Sequence, residues 1–221
     1  MKRHKLQSAE VIVQAGQVPL EGTLAFPEKA EGIVVFAHGS GSSRFSSRNR
    51  FVAEFLNQGG LATLLFDLLT AEEHRVDEWT RELRFDIDLL TKRLIGAVDW
   101  LETRDEVADL PVGLFGASTG AAAALRAAAE RPDRVAAVVS RGGRPDLAMP
   151  TLPQVRAPTL LIVGGDDEPV IGMNQKAAAR LACEHRVDIV PGATHLFEEP
   201  GKLEEVARLA REWFLRHLHR P

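Results

Sequence analysis

The sequence predicts a three-layer α/β fold, with a mostly parallel sheet of about eight strands and helices on both faces. Three observations predict it. Short β-rich runs alternate with helical patterns along the 221 residues. From Ile33 onward the strand runs are mostly apolar on both faces, as parallel strands covered on both sides must be. The helical segments carry single apolar stripes, which suits elements that cover one face of a sheet.

The expected strands fall at 11–13, 23–26, 33–37, 62–66, 112–115, 136–139, 159–163 and 186–190. Between the first two lies a turn-rich stretch with no room for a helix, so they predict an antiparallel start. Phe51, Val52, Phe55 and Leu56 form one helical stripe, stopped by Gly59-Gly60. Ile87, Leu90, Leu94, Val98 and Leu101 recur at spacings of three and four over a long helix. Leu203, Val206, Ala207, Ala210, Trp213 and Phe214 repeat the pattern near the C-terminus. These stripes read as core rather than cofactor contacts. The segment 70–83, TAEEHRVDEWTREL, reads as a mobile polar loop near the site. The stretch 145–158 is rich in proline but too short to divide domains, so one domain over 1–221 is expected.

Composition narrows the function classes. Hydrophobic residues make up 45% and charged residues 26%, an ordinary globular balance. Net charge is −4, with no long run of one sign, so no nucleic-acid partner is expected. The basic start MKRHKLQSAEVIVQ lacks an apolar stretch behind it and does not read as a secretory signal. No apolar run approaches the roughly 20 residues needed to span a bilayer. Cys183 stands alone, which excludes an internal disulfide and a thiolate zinc cluster. A cytoplasmic protein is the expectation.

The chemistry begins at Gly116-Ala117-Ser118-Thr119-Gly120, a G-x-S-x-G run between a predicted strand and a predicted helix. A sharp strand-to-helix turn leaves no room for bulky neighbours, and the glycines with Ala121–Ala124 supply small ones. Two readings fit: an exposed nucleophile, or a serine that merely caps the helix. A serine hydroxyl is a weak nucleophile and needs a base, which needs an orienting acid. "TLLIVGGDDEPV" places Asp166 and Asp167 just after a strand, and "VDIVPGATHLFEEPG" places His195 on a turn after the last strand. Of the seven histidines, His195 alone has both the order and the loop position. Its bland alternative is a solvated loop residue.

A developing oxyanion needs donors. The Thr119 N–H follows the nucleophile directly, and "VVFAHGSGSSRFSSRNR" offers a second, with His38-Gly39 shaping the turn and the Ser40 N–H, or else that of Gly39, facing the substrate. Gly39 and Gly41 also begin a G-x-G. No third glycine and no G-K-[ST] follows, so the nucleotide-binding readings fail in detail.

HGSGSS, GASTG, GGDDEPV and GATHLF, in this order and spread over nearly the whole chain, resemble the α/β-hydrolase superfamily, nearest its small, lidless dienelactone-hydrolase-like group. The resemblance implies an α/β-hydrolase fold and a triad of Ser118, Asp167 and His195. Within the family pattern G-x-x-D-x-x-V, Gly164 and Val170 bracket Asp167 rather than Asp166. It implies no cofactor. One departure matters: dienelactone hydrolases carry a cysteine nucleophile where this chain has Ser118, so dienelactone is not carried over as the substrate.

Larger relatives insert a cap after the sixth strand, where this chain has only the short stretch 141–158. An open or shallow pocket for small acyl groups follows. Arg44, Arg48 and Arg50 cluster beside the oxyanion loop, and Arg141 and Arg144 follow the sixth strand. They either bind a substrate carboxylate or form a solvated rim. Arg44 and Trp79 stand as the substrate-binding candidates. His195 and Glu198 lack a third ligand at suitable spacing, so no metal is expected. The expected function is a serine hydrolase of small carboxylic esters or lactones. The alternative is a hydrolase-fold binding or sensor protein with little turnover.

Overall fold

The computed structural model describes residues 5–219. Two long strands, β1 (Leu6–Ala15) and β2 (Val18–Pro27), form an antiparallel hairpin. Six shorter strands follow: β3 (Ile33–Ala37), β4 (Ala62–Phe66), β5 (Val112–Ala117), β6 (Val135–Arg141), β7 (Thr159–Gly164) and β8 (His185–Val190). All eight join one sheet in the order β1-β2-β4-β3-β5-β6-β7-β8. From β4 to β8 every pairing is parallel.

The helices cover both faces because the central strands are apolar on both. Along β3, Ile33, Val35 and Ala37 enter one core and Val34 and Phe36 the other. The first core is closed by α3 (Ile87–Leu101), α4 (Thr119–Glu130) and α5 (Glu168–Ala178). The second is closed by α1 (Ser47–Gln58) and α6 (Lys202–His217). Phe36 and Phe115 stack in that second core with ring centroids 5.0 Å apart. Among the described residues no helix is long and apolar enough to cross a membrane.

Two expectations are corrected. The hairpin strands run longer than 11–13 and 23–26, since the outer half of β1 is exposed and carries no burial period. The supposed mobile loop at 70–83 contains α2 (Ala71–Thr80), opened by a capping box. Thr70 Oγ1 accepts from the Glu73 N–H, and Glu73 Oε1 accepts from the Thr70 N–H. The side chain of Arg93 then grips both oxygens of Glu73 at 2.6 and 2.8 Å. That bidentate bond holds the Glu73 carboxyl below the usual carboxylate range. A second clamp joins the buried Asp77 to the backbone N–H and Nε of Arg84, at 3.0 and 2.9 Å.

Between β6 and β7, 3-10 turns over Pro145–Gln154 fill the place of a cap, kinked at Ala148. They lie against α4 and α5. The chain leaves β3 towards β4 on one side and β5 on the other, so the carboxyl ends of β3 and β5 flank a topological switch point. Open α/β sheets bind ligands there.

Candidate active site

Strand β5 runs straight into Ser118, whose backbone takes φ 53° and ψ −121° before α4 begins. An L-residue held there stores strain of about 1–3 kcal/mol. The turn is feasible only because its neighbours lack side chains. A Cβ on Gly120 would sit 2.2 Å from the Ala37 carbonyl oxygen, and one on Gly116 would sit 2.5 Å from the Ala121 Cα. The Ser118 side chain makes no capping bond to α4, so the helix-cap alternative lacks its hydrogen bond.

His195 lies after β8, on a loop pinned from both sides. Phe197, left-handed at φ 56°, buries its ring in the α1/α6 core, and Glu199 accepts from the Thr194 N–H and hydroxyl. Asp167 lies after β7, at the entry to α5. Its Oδ2 is 2.8 Å from His195 Nδ1, with the carboxylate mostly buried and the imidazole side chain 41% exposed. In the neutral imidazole this pairing places the proton on Nδ1 and leaves Nε2 as the basic nitrogen. Asp166 is exposed, and its backbone N–H donates to the Ala193 carbonyl at 3.0 Å.

The oxyanion loop is shaped by His38. Its Nδ1 donates to the Gly39 carbonyl at 2.9 Å, and its Nε2 accepts from the Leu68 N–H at 3.0 Å. Burial pushes the imidazole's pKa down, and the bond that Nε2 accepts from Leu68 requires the neutral ring. The Ser40 and Thr119 hydroxyls meet at 3.0 Å, which brings the two predicted donor residues side by side. Among the described residues neither backbone N–H has a partner. Ser40 Oγ also contacts the Arg84 carbonyl at 3.3 Å, so the Asp77–Arg84 clamp braces this loop.

Ser118 and His195 share a cavity of about 210 Å³ with Gly39, Ser40, Arg48 and Arg141. The two substrate-binding candidates lie elsewhere. Arg44 is engaged by Asp67 and Glu21, at 2.5 and 3.2 Å, and lines a neighbouring cavity of about 350 Å³ with His38 and His74. Trp79 is 90% exposed on α2 and lines neither cavity. The arginines that do face Ser118 are Arg48 and Arg141. Arg141 ends β6 directly opposite Ala117 in register, one residue before the nucleophile. The sequence predicts a strand that ends at 139, with Arg141 following it. The apolar run Ala136–Val139 gave no sign that the strand continues through two polar residues.

This architecture has close counterparts. The family model described as "Dienelactone hydrolase family" matches residues 20–218. A crystal structure of dienelactone hydrolase from Anabaena variabilis superposes with a TM-score of 0.96 at 61% identity, covering 98% of this chain and 100% of that one. Est1E from Butyrivibrio proteoclasticus shares the fold at a TM-score of 0.79 and 16% identity, covering 94% of this chain and 98% of its own. A Mycobacterium tuberculosis protein named a putative phosphoribosyl transferase is 60% identical over 216 residues, which is 98% of this chain and 48% of that protein. The chain thus spans about half the length of the curated relatives it matches. With the family model matched from β2 to the end of α6, the chain belongs to the dienelactone hydrolase family.

Proposed function

We propose that the chain is a serine hydrolase that cleaves small carboxylic esters or lactones through an acyl-enzyme. The observation that carries this reading is the 2.8 Å His195–Asp167 pair beside a strained, glycine-flanked Ser118 in one cavity. In this reading Ser118 Oγ attacks the ester carbonyl carbon while His195 Nε2 takes its proton. Asp167 keeps the imidazole in the required tautomer and stabilises the cation that forms. The Ser40 and Thr119 N–H groups receive the oxyanion. Collapse expels the alcohol, which leaves with the proton from His195, and forms the acyl-serine. Water then repeats the sequence, releasing the acid and restoring Ser118. With a lactone, both products leave as one hydroxy acid.

The name carried by the M. tuberculosis relatives raises a second reading, transfer of a phosphoribosyl group. Those proteins are about twice as long as this chain, so their activity comes to it only as an alternative. One experiment separates the readings. The purified protein is treated with a fluorophosphonate probe, and the labelled residue is mapped with Ser118→Ala as control. Stoichiometric labelling at Ser118, abolished in the variant, is expected. Equal labelling of both proteins refutes the nucleophile assignment. A protein that stays unlabelled yet consumes phosphoribosyl diphosphate supports the second reading.

A further inference from the structure

Three arginines around the mouth of the site already hold a carboxylate. Arg44 holds Asp67, Arg84 holds Asp77, and Arg144 holds Asp146. Arg141 does not. It is 6% exposed, its Nε has no hydrogen-bond partner, and it forms no ion pair among the described residues. Arg48 lies close enough for its charge to act on Arg141, and its own Nε is buried and unpartnered as well. Among the described residues no acidic side chain lines the cavity they share with Ser118 and His195. A buried guanidinium without a partner is costly, and two that repel each other are costlier. Burial, with Arg48 adding to it, pushes the pKa of Arg141 down to about 10.

The same cavity receives the first turn of α1, a helix of 12 residues with no acidic side chain there. Its partial positive charge adds to that of the two guanidinium groups. Ser42 and Ser46 bring hydroxyl groups to the wall. Asn49 is 2% exposed and its Oδ1 is unpartnered; a half-turn of the amide presents its NH₂ at that point. Donors thus converge from several directions on a place with more than one excess positive charge. A flat carboxylate with one negative charge matches such a place poorly. A tetrahedral dianion, with oxygens facing several ways, matches it well.

We propose that this cavity binds a phosphate monoester group, held between Arg141, Arg48 and the N-terminal turn of α1, so that the substrate is a phosphorylated small ester or lactone. The subsite deepens the hydrolase reading and rests on it for the reacting bond, but phosphate binding is measurable without turnover. The phosphate stays bound while the neighbouring acyl group reacts at Ser118, so anchoring and chemistry share one cavity.

Isothermal titration with phenyl phosphate, and with benzoate as its monoanionic counterpart, tests the subsite in the wild type and in Ser118→Ala. Phenyl phosphate is expected to bind both proteins equally, at least about tenfold more tightly than benzoate. Arg141→Met and Arg48→Met are each expected to weaken that binding at least about tenfold. Arg48 is only partly buried, so its variant keeps the test open should Arg141→Met fail to fold. Binding of phenyl phosphate no tighter than benzoate overturns the proposal, as does binding that a folded Arg48→Met leaves unchanged. The two readings fail separately: tight, arginine-dependent phosphate binding without fluorophosphonate labelling supports the subsite and removes the hydrolase.

Discussion

Replacing Ser118 by glycine and by alanine separates the energetics of the elbow from its chemistry. Both substitutions delete the hydroxyl, but only glycine relieves the left-handed backbone at φ 53° and ψ −121°. Strain at such a position is worth about 1–3 kcal/mol. Glycine gives back about 0.5–1 kcal/mol through the greater freedom of its unfolded chain. Ser118→Gly is therefore expected to be more stable than Ser118→Ala by up to about 2.5 kcal/mol. At an unfolding entropy of roughly 2 cal/mol/K per residue, a chain of 221 residues converts that gap into up to about 5 °C in Tm. Both variants are expected to lose at least about three orders of magnitude in ester turnover. Scanning calorimetry on matched samples measures the gap. Should Ser118→Gly melt below Ser118→Ala, the elbow stores no strain that could set Ser118 apart from an ordinary serine.

Three further outcomes are expected. Asp167→Asn should cost up to about 10⁴ in kcat by favouring the wrong imidazole tautomer, whereas the exposed Asp166→Asn should stay within about tenfold of wild type; steady-state ester assays compare them, and the reverse pattern moves the acid by one residue. Because burial lowers the His38 pKa, its neutral ring contributes stability that is fully present above its unfolded pKa of about 6.5 and is lost as pH falls from there through the folded value. Urea melts from pH 7.5 to 5 should show this loss, and His38→Gln, which cannot take up the charge, should flatten it. The cavity of about 210 Å³ should favour acetyl and butyryl over decanoyl esters of one phenol in kcat/KM; a decanoyl preference would contradict the short-acyl expectation.

Much of the fold is visible in the sequence because the central strands are buried on both faces, and burial writes itself as uninterrupted apolar runs. The candidates Ser118 and Asp167 stand out for a related reason, since each sits where such a run ends in a turn, whereas His195 stands out by the Pro-Gly turn that follows the last strand. What escapes is whatever depends on partners distant in the chain. Helix α2 buries only Asp77 and so has no apolar stripe, although Thr70 and Glu73 stand at capping-box spacing. Its order rests on Arg93 and Arg84, which no local pattern connects to it. The arginines likewise look alike in sequence. Only packing separates Arg44, neutralised by Asp67, from Arg141, buried without a counter-ion among the described residues.

The position of β8 has a consequence for how the protein fails under stress. It closes the sheet at one edge, paired on one side only, and most of its residues are exposed or half-buried. His195 follows it directly, whereas Ser118 follows β5 in the middle of the sheet. Edges and their loops open at lower free energy than central strands. Warming should therefore detach the imidazole from the serine while the two cores remain packed, so inactivation precedes melting. Amide exchange should report the same order, with the β8 protons lost well before those of β3 and β5. For such a chain, heat resistance of activity is set at the rim of the sheet, and added core packing would do little to extend it.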